Sequence, residues 1–323
     1  CKLELKKGSC EKKKVVLFDE TSQSTYSIAS QVPLVINYTY NGKRYQKEPD
    51  EADIAILEKI GDIAIPYWYP QDELPEGYNT EQPIRSHGYS KVNHFYTKRI
   101  LYFLAKLYDL ISESEYKDAL SIWFTSQLIN ISKLNRYRPT VSFPYNPLSG
   151  TLYVSSLTCE SSPHIAYKGK ISKFAKALHD VHEQNTVIST NSTTDLSLVP
   201  DSSIDYIFTD PPFGGNLNYS ELSFIWECWL KVKTNNKTEA IVNSVQGKSL
   251  VEYQNLMTRC LCEYFRILKP NRWMTVEFHN SKNTVWNAIQ QALQHAGFIV
   301  ADVRTLDKQL GTFKQTTSTS AVK

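Results

Sequence analysis

Apolar positions follow a helical period through the first part of the chain and change pattern near residue 186. Ile54, Leu57 and Ile60 follow Pro49-Asp50-Glu51-Ala52-Asp53, which predicts a helix capped by Asp50, buried along that stripe and ended by Gly61. Ile100, Leu104, Leu107 and Ile111 predict a long helix from Phe95. A second helix is expected over 115–133, and a third over 171–182 with Phe174, Leu178 and Val181 inside. Short β-branched or aromatic runs at 15–18, 34–40 and 151–154 predict strands. Asn41-Gly42, set between Tyr40 and Lys43-Arg44-Tyr45, signals a tight hairpin. Pro66, Pro70, Pro75 and Pro83 make 63–90 an irregular loop, and 136–150 reads likewise.

Beyond residue 186, strands alternate with helices. Strands are expected at 186–190, 202–209 and 273–278, and at 298–300 with Val303. Ser220 is placed as the cap of a helix carrying Leu222, Ile225 and Trp229 on one face. Another helix covers about 250–268. Ser281 is placed as the cap of the next, with Val285, Ile289 and Leu293 inside and Gly297 as its stop. This alternation implies α/β architecture with a parallel, doubly wound sheet. The expected division is an irregular, mainly helical part at 1–185 and a sheet-bearing part at 186–323.

Composition changes this picture little. The 323 residues are 41% hydrophobic and 21% charged, with a net charge of +3. No apolar run approaches the roughly 20 residues of a membrane helix, and the Lys-rich start has no secretory core. A cytoplasmic protein without membrane association is expected. The charge permits nucleic-acid binding without demanding it. Residues 1–14 hold six Lys against two Glu, and Lys91, Lys98 and Arg99 lie close together. The six cysteines form no complete Cys-x-x-Cys, and Cys228 and Cys260 fall on apolar helix faces as small core residues. The chain opens on Cys1 and closes without a helix stop, so it is expected to be a piece of a longer protein.

The chemistry centres on Asp210-Pro211-Pro212-Phe213, directly after a strand expected to be buried. In open α/β sheets, ligands bind beyond the carboxyl ends of strands. Two prolines stiffen the turn and fix its carbonyls. Asp210 accepts one hydrogen of an exocyclic amine, the Pro211 carbonyl accepts the other, and Phe213 stacks on the ring. Gly214-Gly215 permits close approach. His279 and Asn280 follow another strand at the same edge and are candidates to line the pocket, as are Gly214 and Asn216. His94, Lys98 and Arg99, placed on one helix face, are candidates to hold phosphate.

The stretch from Asp205 through Asn216 resembles the catalytic block of the zinc-ribbon-containing, adenine-specific DNA methylases, within the wider N4/N6 amino-methyltransferases. Tyr264-Phe265-Arg266-Ile267-Leu268-Lys269-Pro270 is similar to the helix–Leu-Lys-Pro–strand unit of class I methyltransferases. Ile36-Asn37-Tyr38, Tyr45-Gln46-Lys47-Glu48-Pro49-Asp50, Ser86-His87-Gly88 and His94-Phe95-Tyr96-Thr97-Lys98-Arg99 also resemble the family. The resemblance implies a partial Rossmann-like class I methyltransferase sheet, with S-adenosylmethionine as methyl donor and a flipped DNA adenine as acceptor at N6. Restriction or phage-defence proteins are its implied partners. Cytosine N4 stays open as an acceptor, and RNA bases and a protein glutamine amide lie further off. A non-catalytic DNA-binding fragment awaiting a cofactor-binding half also stays open. The family's Phe-x-Gly-x-Gly cofactor turn has no counterpart here. Ser192 and Asp195 lie nearest the family's cofactor-contacting acid. Cys1 is placed as the remnant of a cut zinc knuckle, so zinc is expected in a full-length protein.

Overall fold

A computed structural model of the chain describes residues 12–19, 23–138, 147–179 and 185–304. The predicted zinc remnant Cys1 and the inward-facing Val181 lie outside these residues.

Strands β1 (Lys14–Asp19) and β2 (Ser24–Ala29) pair antiparallel, as do β3 (Ile36–Tyr40) and β4 (Lys43–Lys47). Asn41 and Gly42 both have positive φ, +48° and +74°, the two-residue turn whose twist suits a hairpin. Tyr38 and Tyr45 stack across it at 5.5 Å. Helix α1 (Glu51–Gly61) begins with the expected Asp50 cap, made reciprocal by Asp53. Its expected buried stripe is not buried: Ile54 is exposed, and no residue of α1 is fully covered. The helix packs along α3, and much of its apolar face meets solvent.

Helix α2 (Tyr78–His87) forms inside the stretch expected to be irregular, with Pro83 within it and Gly88 capping it in the left-handed conformation. A short 3-10 helix, Val92–Phe95, precedes α3 (Lys98–Ser112), whose N-cap is Thr97. The predicted stripe is real here, with Ile100, Leu104 and Ile111 buried. Helix α4 (Lys117–Thr125) is shorter than expected, and turns succeed it. The strand expected at 151–154 does not form. Leu152 and Val154 are buried in irregular chain, and Val154 exchanges backbone and side-chain hydrogen bonds with Gln82. Helix α5 (Pro163–His179) starts earlier than expected and buries Ala166 and Tyr167 near its start, while Leu178 stays exposed.

In the second part, β5 (Ile204–Thr209) precedes α6 (Tyr219–Leu230), and α7 (Leu250–Ile267) runs directly into β6 (Leu268–Val276). Helix α8 (Asn283–Ala296) follows and ends at Gly297 as predicted. Two expected caps are displaced. Asn218 stands at the cap of α6 and Lys282 at that of α8, while Ser220 lies inside the first turn of α6. Strands β5 and β6 pair parallel, Tyr206 with Trp273 through Thr209 with Val276.

The chain is therefore mixed helix and strand, with small sheets. The larger sheet expected from the pattern is not found: among the described residues each sheet has two strands. Residues 186–190 and 298–303 form no strand, with Val187 93% and Ile299 92% exposed. An apolar β-branched run becomes a strand only when a neighbouring strand forms a ladder with its N–H and C=O groups, and neither segment joins a sheet. Strand β5 is likewise not buried as expected. Ile207 faces the core, but Tyr206 and Phe208 face solvent.

Two larger apolar cores and a small one, Ile207 with Ile267 and Leu268, hold the described residues together. Of the larger two, one gathers α3, α4, α5 and α6 around the fully buried Trp229, ringed by Trp68, Tyr96, Tyr108 and Phe124 with centroids 5.3–6.1 Å away. It crosses residue 185, because α6 contributes Phe224, Ile225 and Cys228. The other joins α7 to α8 through Tyr253, Met257, Leu261, Val285 and Ile289. Among the described residues no helix is long and apolar enough to cross a membrane.

Candidate functional site

Parallel pairing puts the carboxyl ends of β5 and β6 side by side, where the Glu277 amide donates to the Thr209 carbonyl at 2.9 Å. Asp210 leaves from one strand, and Phe278, His279 and Asn280 leave from the other. Sequence reasoning placed both groups at this edge, and the structure brings them together.

The turn after Asp210 is held carbonyl by carbonyl. Tyr253 Oη donates to Pro212 O at 2.7 Å. Asn280 Nδ2 donates to Phe213 O at 2.8 Å, while its Oδ1 accepts from the Lys282 amide. The Val242 amide donates to Gly214 O at 3.2 Å. Three acceptors are left over, for no described residue donates to the carboxylate or the carbonyl of Asp210 or to the Pro211 carbonyl. Asp210 is exposed, whereas Pro211 is buried.

Phe213 is half-buried. Its ring meets Phe278 edge-on at 5.4 Å, and Phe278 meets Trp286 edge-on at 5.0 Å, which fixes the ring plane. Gly214 takes φ +66°, and a Cβ there would stand 3.1 Å from Val285 Cγ1, so a side chain is disfavoured on two grounds. Burial pushes the Tyr219 phenol pKa up. The Asp210 carboxylate adds to this, and a hydrogen bond with the Phe213 backbone opposes it. Burial also raises the Tyr253 phenol, so it remains a donor at ordinary pH. The sequence pattern marked neither tyrosine. Tyr253 carries the helical apolar spacing of a core residue, and only its hydroxyl reaches the turn.

Other predicted residues stand elsewhere. Ser192 and Asp195 form an exposed turn in which the Asp195 carboxylate accepts from the Ser197 amide, which lowers its pKa. The adjoining Leu196 amide binds Glu263. The next residue of α7, Tyr264, places its hydroxyl 3.4 Å from Thr209 Oγ1, and Leu196 packs with Ile207 of β5. Arg266 ties this loop down, donating to the Leu196 and Val199 carbonyls and pairing with Glu263 and Asp201.

His94, Lys98 and Arg99 do not share a helix face. His94 is buried in the 3-10 helix, stacked on Tyr26 at 4.3 Å, and accepts from the Ser90 and Lys91 amides. Lys98 and Arg99 are exposed at the start of α3, and Arg99 pairs with Glu160. His279 is exposed, whereas Asn280 is buried. No group of three or more His, Cys, Asp or Glu side chains among the described residues is arranged to hold a metal ion.

The polar frame behind the site was not foreseen. The buried Glu221 accepts from the Asn79 amide and Nδ2, at 2.8 and 2.9 Å, and so caps α2 from α6. Glu239 accepts from the Ser220 amide and hydroxyl, capping α6 in turn. A cleft of about 460 Å³ opens beside Gly215, and a smaller one of about 160 Å³ shares Gly215, Val242 and Lys282 with it.

Comparison of the chain with known protein families, with curated proteins and with solved structures returns no match.

Proposed function

We propose that this chain is the acceptor-base half of an S-adenosylmethionine-dependent DNA amino-methyltransferase acting on adenine N6. One observation carries the reading: the carbonyls of Pro212, Phe213 and Gly214 are each taken by a donor, whereas the Asp210 carboxylate and the Pro211 carbonyl receive none from the described residues. An exocyclic amine has two hydrogens to give. Taken up by Asp210 and Pro211, they turn the nitrogen lone pair away from the ring and toward an incoming electrophile. Phe213, fixed by Phe278, offers a surface on which the flipped base stacks. Tyr253 and Asn280 hold the turn so that the acceptors need no reorganisation when the base arrives.

S-adenosylmethionine, when bound, supplies the electrophilic methyl group. No hydrogen bond joins Ser192 or Asp195 to Asp210 among the described residues, and no role toward the cofactor is derived for them. The β5–β6 pair with α7 and α8 is compatible with part of a Rossmann-like methyltransferase sheet, and we read it as such. DNA is the partner this reading requires. Adenine N6 is preferred to cytosine N4 on the family resemblance of the Asp210–Asn216 stretch, since both amines offer the same two hydrogens.

Nucleoside mass spectrometry of DNA incubated with the chain and isotopically labelled S-adenosylmethionine tests the reading. Labelled N6-methyldeoxyadenosine that disappears with Asp210→Ala supports it. Label on cytosine N4 moves the acceptor, and label on no base refutes methyl transfer by this chain.

A further inference from the structure

The larger cleft beside Gly215 is walled by Tyr78, Ser244, Lys248, Ser249 and Lys282, and no carboxylate lines it. Lys282 is exposed and forms no ion pair among the described residues. Lys248 is only 8% exposed and donates to the Asn236 and Glu239 carbonyls, the latter at 2.7 Å. An ammonium has three hydrogens, so one remains for a ligand. Both partners are neutral carbonyls, which leaves its charge without a directly bonded carboxylate. Tyr78 and Ser244 hydroxyls lie 2.7 Å apart at the rim. Two acids stand behind the wall: Glu252 is engaged in the Ser249 cap of α7, and Glu239, whose charge acts on Lys248, holds the Ser220 amide and hydroxyl. The result is a concave site with two cations and several hydroxyls, chemistry that suits a phosphate rather than an apolar or cationic ligand.

Its position narrows the choice. Gly215 belongs to the cleft wall and lies two residues beyond Phe213, so the site begins where the proposed base platform ends. Resting on the proposed base-binding reading, we infer that this cleft seats a phosphodiester of the nucleic-acid strand whose base is held at Asp210, Pro211 and Phe213. Phosphate contacts set register without reading sequence. A strand anchored here is held beside the motif whatever base follows.

Fluorescence anisotropy with a labelled single-stranded oligodeoxynucleotide, over a salt series, tests the assignment on the full chain. Lys282→Gln is expected to weaken binding about 3–10-fold and to reduce the salt slope by about 0.7, the change for one lost phosphate contact. Ser244→Asp, which adds a negative charge at the rim, is expected to weaken it further. Lys170→Gln, on the exposed face of α5, is expected to change neither quantity. Circular dichroism melting confirms that each variant is folded. Unchanged affinity and slope in both Lys282→Gln and Ser244→Asp would overturn the proposal, as would a parent chain that binds no oligonucleotide. Inorganic phosphate and deoxyadenosine monophosphate serve as competitors. Binding of these small anions that depends on Lys282, with oligonucleotide affinity unmoved by Lys282→Gln, also overturns it, since it marks a small-anion site. The two readings fail separately. A chain that prefers amine-bearing bases but ignores Lys282→Gln loses the cleft and keeps the base site. The reverse result keeps the cleft and loses the base site.

Discussion

Tyr253 and Pro212, 41 residues apart, are joined by a hydrogen bond of 2.7 Å that fastens the start of α7 to the turn after β5. The tyrosine is fully buried and its ring belongs to the α7–α8 core, so the packing that builds the core also aims the turn. Tyr253→Phe keeps the ring and removes the donor. The expected loss is about 1 kcal/mol of stability, read by urea denaturation, with weaker base binding and an unchanged fold by circular dichroism. Full retention of base binding would mean that the turn holds itself.

Gly214→Ala introduces a Cβ at φ +66°, 3.1 Å from Val285 Cγ1. The backbone strain and the contact together cost about 1–2 kcal/mol. Since the strain falls inside the turn, base binding should drop more than it does for a surface variant of equal stability. A denaturation midpoint equal to the parent's would contradict the conformation described.

Glu221 connects the two halves of the chain. Its carboxylate takes both Asn79 donors at the start of α2, and Asn243 Nδ2 approaches its other oxygen at 3.3 Å. Glu221→Ala leaves these groups without their acceptor inside the protein, at a cost of about 2–3 kcal/mol. Hydrogen exchange should show α2 opening before α7 in this variant. Loss of protection in α7 alone would contradict the assigned link.

His87 gives the pH dependence. It is 5% exposed, and burial first, then Lys12 and Lys133, depresses its pKa to about 4. The unfolded chain takes up this proton near pH 6.5. Between those values the unfolded state binds more protons, so stability is full above about 6.5 and falls as pH drops toward 4, by up to about 3 kcal/mol. Urea denaturation across this range should show a shallower fall in His87→Gln than in the parent. Parallel pH profiles would contradict the assignment.

How far the fold was legible follows the range of the interactions. The Asn41-Gly42 hairpin, the Asp50 cap, the α3 stripe and the β5 turn at Asp210 are local, and neighbouring residues state them. The caps at Ser220 and Ser281 failed by one or two residues because tertiary contacts decide those ends: Glu239 binds Ser220, and Asn280, tied to the Phe213 carbonyl, takes the Lys282 amide. The run at 186–190 has strand composition, but composition carries no information about whether another backbone lies alongside. His94 resembled a phosphate ligand by its nearness to Lys98 and Arg99, yet the 3-10 turn rotates it inward onto Tyr26. In the site, Asp210 and Asn280 could be picked out as polar residues after strands. Tyr253, Tyr219, Lys248 and Lys282 could not, because their relation to the turn exists only after α7 and the 242–249 segment have folded over it.

The claim that Asp210 and Pro211 receive an exocyclic amine is tested most directly by the affinity of the chain for two oligodeoxynucleotides. One carries adenine and the other carries purine, which lacks only the 6-amino group. The account predicts that the adenine strand binds roughly 10-fold tighter, as expected for about 1.4 kcal/mol from amine hydrogen bonds, and that Asp210→Ala removes most of the difference, leaving the share of the Pro211 carbonyl. Equal affinity of the parent chain for the two strands would contradict it.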